Sequence, residues 1–422
     1  MITVQNRVDR LYDIGTVPPV GTVPTRMYAW TIREERFGDP LNAFRVEVVD
    51  VPKPRRGEVI VCNYAAGINY NGVWAATGKP KNVIADHGKW GERAEPFFIC
   101  GSESAGVVYE VGEGVDMFKV GDEVCVTGTQ ADYENCSLIK AGEDPMLSPS
   151  FRIWGYEANW GAFAQFSRVQ QQQCYPKPKS LTWEEAASCF ATGGTVHRML
   201  TMYPGNEIRP GDVVLIWGGS GGLGTMAIQL VNYYGGIPVA VVSDEERAEF
   251  CMKIGAKGCI NRNRYSHFGL LTSEYRNPDV YRRWLREAVR FRREIYDIVG
   301  EKKDPRIVIE HPGESTLPTS LFVCARGGMV VLCGATTGYI GSLDLRFLWL
   351  HQKRLQGSHA GRREQCPELA RIIEEGGFRP YLSRVFAWEE LAEGHQMLYE
   401  NRHAGGNMAV LIGASQKGLG RS

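Results

Sequence analysis

The chain has 422 residues and balances 48 Lys plus Arg against 48 Asp plus Glu, which excludes a global field for nucleic acid or an anionic membrane; any anionic ligand must be held by a local site. Its 43% hydrophobic and 23% charged residues place it among ordinary soluble globular proteins rather than disordered ones, with length enough for two domains. Eleven cysteines, an odd count without any C-x-x-C pair, argue against a structural zinc knot or a disulfide framework.

Met1 to Tyr28 mixes charges with Pro18, Pro19 and Pro24 and lacks an apolar signal-peptide core, and no apolar run approaches membrane-spanning length. A reduced, cytoplasmic setting with no membrane partner is expected. Residues 1–26 read as an N-terminal extension. From Met27 to about Arg168, short β-type runs at Arg45 to Val49, Glu58 to Cys62, Gly106 to Val111 and Asp122 to Val126 alternate with Gly and Pro signals, the spacing of a small β-barrel. Gly128 to Pro149 is polar and turn-rich and reads as a long surface excursion. Thr182-Trp183-Glu184-Glu185 fits a capping box and predicts a helix start.

Beyond that helix the pattern becomes strand, glycine turn, helix, strand. Asp212 to Trp217 is a buried apolar run, Gly219-Ser220-Gly221-Gly222-Leu223-Gly224 matches G-x-G-x-x-G, Thr225 to Tyr234 is helical and Pro238 to Val242 is the next strand. Glycines 219, 221 and 224 would let backbone N–H groups approach a pyrophosphate at a helix N-terminus; a merely tight turn is the competing reading. Further strands at Arg306 to Glu310, Met329 to Cys333 and Arg354 to Gly357 extend a parallel sheet, so the fold class is α/β with a Rossmann doubly wound sheet over about 191–358. Between them Trp284, Ala288, Phe291, Ile295 and Ile298 share a helix face. Arg282, Arg283, Arg286, Arg290 and Arg293 decorate the remainder as a solvated face, with a CoA-phosphate patch as the alternative. Residues 359–422 return to the first domain and end with a strand, Met408 to Ile412.

Ser243 stands where a ribose-binding acid is expected and Arg247 follows one turn later; a hydroxyl and a guanidinium suit a 2′-phosphate, so NADPH is favoured over NADH. Ser243 with Glu246 also makes an ordinary capping box, and Asp244 lies close enough to complicate the assignment. Thr192 and Thr195 are candidates to approach a nicotinamide, against a helix-packing reading of Gly193-Gly194, and Gly334 and Ala335 follow a strand where open α/β sheets receive ligands.

Five segments then carry a resemblance. Asn69-Tyr70-Asn71-Gly72-Val73-Trp74, Asp144-Pro145-Met146 with Ser148-Pro149, Arg152-Ile153-Trp154-Gly155-Tyr156-Glu157, Glu310-His311-Pro312-Gly313-Glu314 and Gly357-Ser358-His359 together resemble the crotonyl-CoA carboxylase/reductase family, a branch of the medium-chain dehydrogenase/reductases, from Met27 to Leu419. The resemblance implies a GroES-like β-barrel catalytic domain over 27–190, NADPH as donor, CO2 as co-substrate, an enoyl-CoA thioester partner and a homo-oligomer, dimer or tetramer. It also implies that Asn71 and His359 hold CO2, that Phe163 lines their pocket and that Gln165 is a candidate to order the pocket water. From side-chain chemistry alone, Asn71 also reads as a turn residue, His359 as a buried histidine and Phe163 as core. Gly101-Ser102-Glu103-Ser104-Ala105-Gly106 presents Ser102 where zinc-dependent members carry a ligand histidine, so no metal is expected. Ala360 and Gly361 follow His359 where the family commonly has an aromatic residue, a loss that would enlarge the acyl pocket or loosen its seal. The expected reaction is reductive carboxylation of a 2-enoyl-CoA to a 2-carboxyacyl-CoA. Its rivals are a non-carboxylating enoyl-CoA or enone reductase and a non-catalytic NADPH-binding protein.

Overall fold

The computed structural model describes residues 6–87, 95–271 and 276–421. The central element of the first half is the strand Glu58–Ile68, eleven residues long and buried along almost its whole length. Such burial follows from having neighbours on both sides. One edge pairs antiparallel with Ser104–Val111; the other pairs with Phe166–Gln170 and then with Asn407–Leu411. Glu123–Val126, Cys174–Pro176 and Leu382–Phe386 complete a seven-stranded sheet. A three-stranded sheet of Arg26–Ile32, Arg45–Asp50 and Phe98–Ile99 joins it through a bridge between Ala29 and Ala164. The expected barrel-type half is therefore present, and its seven-stranded sheet includes the C-terminal strands Leu382–Phe386 and Asn407–Leu411.

The second half is a six-stranded parallel sheet in the order Gly258–Asn261, Ile237–Val242, Val213–Trp217, Ile307–Glu310, Met329–Leu332, Arg354–Gly357. Val213 to Trp217 are all buried, as parallel strands covered on both faces require. The chain begins at a central strand, winds to one edge and then crosses to the other. The reversal lies between Val213–Trp217 and Ile307–Glu310, and ligands bind beyond the carboxyl ends of strands at such a point.

The helix Pro278–Val299 is capped by Asn277 and buries Trp284, Ala288, Phe291 and Ile295, with Ile298 half-buried. Arg282, Arg283, Arg286, Arg290 and Arg293 are exposed, and two of them pair on their own helix with Asp279 and Glu287. A solvated face accounts for them.

One local expectation is met in a shorter form and another is corrected. The capping box at Thr182 forms, but the helix it starts, Trp183–Ala186, is short; a longer helix, Phe190–Thr201, follows after Ala187–Cys189. The 128–149 segment is more than an excursion. Thr129–Gln130 pairs with Arg152–Ile153, and Asp144 caps the turn Pro145–Leu147 while bonding Arg198 at 2.6 Å. That ion pair secures the segment to the helix Phe190–Thr201.

Candidate active site

A cleft of about 580 Å³ runs between the two halves. At one end the glycine turn leads from Val213–Trp217 into the helix Gly222–Tyr233, whose N-terminus has no side-chain cap. Its first N–H groups are thus available to an anion. The glycines divide by what surrounds them. A Cβ on Gly224 would lie 2.3 Å from the Gly218 carbonyl oxygen and one on Gly219 2.6 Å from Ala240 Cβ, so the first is demanded by the turn itself and the second by packing against the strand Ile237–Val242. Gly221 lines the cleft and would meet only the Gly218 oxygen at 3.4 Å. Its bareness serves close approach from the cleft.

Ser243 and Arg247 line the same end. Asp244, not Ser243, caps the helix Glu245–Lys253: its Oδ1 accepts from Arg247 N at 2.9 Å, while its Oδ2 accepts from Ser243 Oγ at 2.7 Å and pairs with Arg247 Nε at 3.3 Å. These contacts hold the Asp244 carboxyl below the usual carboxylate range, the backbone hydrogen bond from Arg247 first among them. With both oxygens engaged, Asp244 is poorly placed to take a ribose diol. Arg262, just past the strand Gly258–Asn261, adds a second guanidinium to this end. The sequence reading missed it; the signal was its place after the neighbouring strand, visible only once strand order is known.

The other end is assembled from distant segments. Asn71 sits in the first turn of the helix Tyr70–Thr77 and donates from Nδ2 to Ser102 Oγ at 3.3 Å. His359 follows the edge strand Arg354–Gly357, opens onto the cleft and packs edge-on against Phe151 at 5.2 Å between ring centroids. Desolvation by the surrounding walls holds its imidazole below the ordinary histidine pKa, which favours the neutral ring. Trp74 adds an apolar wall beside Asn71. Thr192 and Thr195 also face the cleft; Thr192 Oγ1 accepts from Asn407 Nδ2 at 3.2 Å, and Thr195 Oγ1 bonds the Ala191 carbonyl at 2.8 Å.

Ser220, Gly222, Leu223 and Gly334 line the cleft as well, whereas Gly219 and Ala335 stand behind it. Phe163 is also displaced from its expected place. It is buried in the core at 1% exposure, its ring against Phe44 and His395, and His395 in turn fills the space beside Gly72, where a Cβ would lie 2.2 Å from Nε2. Its route to Asn71 is thus indirect, and its core reading prevails in position. Gln165 is likewise spent on structure: Oε1 accepts from Tyr28 N at 2.9 Å and Nε2 donates to the Tyr12 carbonyl at 3.0 Å.

An antiparallel barrel-type half, a doubly wound parallel half and a nucleotide turn facing the cleft between them define a medium-chain dehydrogenase/reductase. Residues 55–179 match the alcohol dehydrogenase GroES-like domain and 222–375 the zinc-binding dehydrogenase family. The crotonyl-CoA carboxylase/reductase of Cereibacter sphaeroides is 46% identical over 97% of this chain and 93% of its own length. The crotonyl-CoA reductase of Streptomyces collinus is 36% identical over 94% and 87%. Among solved structures, crotonyl-CoA carboxylase/reductase AntE in complex with NADP superposes with a TM-score of 0.92 at 49% identity, covering 97% of this chain and all of that one. The 2-octenoyl-CoA carboxylase reductase CinF, with NADP and 2-octenoyl-CoA, gives 0.87 at 35%, covering 95% and 91%. The chain belongs to the crotonyl-CoA carboxylase/reductase family.

Proposed function

We propose that the protein catalyses NADPH-dependent reductive carboxylation of a 2-enoyl-CoA to a 2-carboxyacyl-CoA. The observation that carries this reading is the placement of Asn71 and His359 in one cleft with the glycine turn, in a chain of this family. NADPH fits the residues present: an uncapped helix N-terminus, a bare Gly221 and the Ser243, Arg247 and Arg262 cluster for its 2′-phosphate. When bound, it supplies a hydride to the β-carbon of the enoyl thioester.

The alkene pair then moves onto the α-carbon and thioester oxygen, giving an enolate. Its α-carbon forms a bond to the CO2 carbon, and one C=O pair of CO2 moves to oxygen to give the carboxylate. A proton arriving first yields the simply reduced product. Asn71 Nδ2 and a neutral His359 ring offer N–H donors to CO2 oxygens, orienting the electrophile without attacking it. Trp74 and the edge-on Phe151 beside His359 restrict water at that end. Phe163 supports the site from behind through His395. Ala360 stands beside His359 in a left-handed conformation, φ 58°, a position that disfavours a bulky ring and leaves room for a longer or branched acyl chain.

Incorporation of labelled bicarbonate into the acyl product, with one NADPH oxidised per carboxylate gained, is the expected result. NADPH oxidation giving only reduced acyl-CoA would favour the plain reductase, and NADPH binding without turnover a non-catalytic protein. The reaction is also proposed to need no metal: Ser102 offers a hydroxyl where zinc-dependent relatives have an imidazole, and turnover should survive a strong chelator. Self-association is proposed along the outer strand Arg354–Gly357, beside which Leu345, Trp349, Leu350 and Leu355 are exposed. An edge strand can pair with its own two-fold copy. Sedimentation should show a Trp349→Glu, Leu355→Glu chain shifted to smaller species; an unchanged profile would refute that surface. No described helix is long and apolar enough to cross a membrane, and the eleven cysteines are all unpaired, which suits a reducing, cytoplasmic setting.

A further inference from the structure

Glu103 is a buried carboxylate that the reaction above does not use. It is 2% exposed, and each of its oxygens takes one hydrogen bond from a different wall of the cleft: Oε1 from Asn69 Nδ2 at 2.6 Å, Oε2 from Ala191 N at 3.1 Å. Asn69 lies two residues before Asn71, and Ala191 immediately precedes Thr192. The preceding residue, Ser102, receives Asn71 Nδ2. Gly67 makes room for this arrangement, since a Cβ there would lie 2.5 Å from Glu103 Oε1 and 2.6 Å from the Ala187 carbonyl oxygen. One dipeptide therefore touches the wall that orients CO2 and the wall beside the nicotinamide end.

We propose that Glu103 is a positioning residue that sets the spacing between the Asn69–Asn71 wall and the Ala191–Thr195 helix start, and thereby decides whether the enolate meets CO2 or a proton. This rests on the reductive-carboxylation reading. Two donors converge on it, and among the described residues no cation shifts it. An ionised carboxylate accepts both bonds at full strength; a protonated one gives a lone pair of one oxygen to its own proton and accepts more weakly. Burial pushes its pKa up to about 7, opposed by the bonds from Asn69 and Ala191. The titratable groups that sense its charge are the Cys125 and Cys189 thiols, both pushed up by burial and neutral across this range. The Asn71 wall should therefore loosen as pH falls through neutrality.

Three chains test this: the parent, Glu103→Gln and Asn69→Leu. Glutamine keeps the shape of the side chain but places an NH2 against one of the two donors; Asn69→Leu removes one donor and leaves Glu103 in place, which keeps the test decisive should the first variant fold poorly. The ratio of carboxylated to reduced acyl-CoA is measured by mass spectrometry from pH 6 to 9 at constant dissolved CO2, beside the NADPH oxidation rate. The expected result is a ratio lowered roughly tenfold or more in both variants, with NADPH oxidation changed less than about threefold. The parent's ratio should fall toward pH 6, and Glu103→Gln should lose that dependence. An unchanged ratio and pH profile in a folded variant would overturn the proposal. Equal loss of oxidation and carboxylation would overturn it too, by reducing Glu103 to a general structural part. A parent that never carboxylates would instead remove the functional reading, and this proposal with it.

Discussion

The two ends of the cleft are built in opposite ways. The end proposed for the nucleotide is made chiefly by one stretch of chain, Val213 to Arg247, which offers backbone N–H groups and one charged helix turn. The opposite end, where carboxylation is proposed, draws Asn71, Ser102 and His359 from three distant segments and would work through side chains held by neighbours. A backbone site tolerates much variation around it and fails when a side chain intrudes. A side-chain site keeps binding its ligands when altered but loses control over what they do. Substitutions at the two ends should therefore fail differently.

The sharpest test of the nucleotide end is Gly221→Val. Because Gly221 has negative φ and little around it but the cleft, the protein should fold and melt nearly as before while NADPH affinity drops on the order of 100-fold, about 2.7 kcal/mol, by calorimetric titration. Unaltered affinity would mean that the glycine serves only the turn. Gly224→Ala, by contrast, drives a Cβ onto the Gly218 carbonyl and should lower the melting temperature as well.

Next in size is the choice of cofactor. Arg247→Ala should weaken NADPH but not NADH by about 1.5–3 kcal/mol, the value of one charge-assisted bond, and Arg262→Ala should add to it. Equal use of both cofactors by the parent would break the assignment of a 2′-phosphate site.

At the other end, His359→Asn and Asn71→Leu should shift product from carboxylated toward reduced acyl-CoA about tenfold, a change of roughly 1.4 kcal/mol in relative barriers, with NADPH oxidation largely kept. Product ratios at saturating bicarbonate decide it. If both variants keep the parent's ratio, Asn71 returns to a turn residue and His359 to a packed ring.

A separate effect concerns stability rather than the reaction. Glu310, fully buried behind the nucleotide end, accepts from Gly313 N at 3.1 Å, Thr316 Oγ1 at 2.7 Å and Ser320 Oγ, yet burial pushes its pKa up to about 7. The folded chain then binds this proton more tightly than the unfolded one, so the group's contribution to stability falls as pH rises from about 4.5 to 7. The loss is on the order of 3 kcal/mol. Chemical denaturation across that range should show Glu310→Gln with a shallower decline than the parent. Parallel curves would mean that Glu310 ionises as it would in water.

What the amino-acid sequence determined by itself lies within a turn or two of chain. The strand, glycine turn and helix from 212 to 234 were legible because hydrophobic periodicity, missing side chains and helix starts are short-range properties. The capping box at Thr182 formed for the same reason. Choosing between Ser243 and Asp244 as a cap was harder, since adjacent residues both suit the position and only the backbone angles discriminate; Asp244 is extended, at φ −155°, with its oxygen on the Arg247 N–H. Asn71 and His359 were reached through family resemblance, their side-chain chemistry alone fitting a turn and a packed ring equally well. Tertiary structure alone decided what depends on partners far along the chain. It turned Phe163 into the core against His395, spent Gln165 on the backbone of residues 12 and 28, and brought Arg262 beside Arg247 through strand order. It also set Glu103 between Asn69 and Ala191, contacts 34 and 88 residues away in sequence, where no local pattern records a meeting.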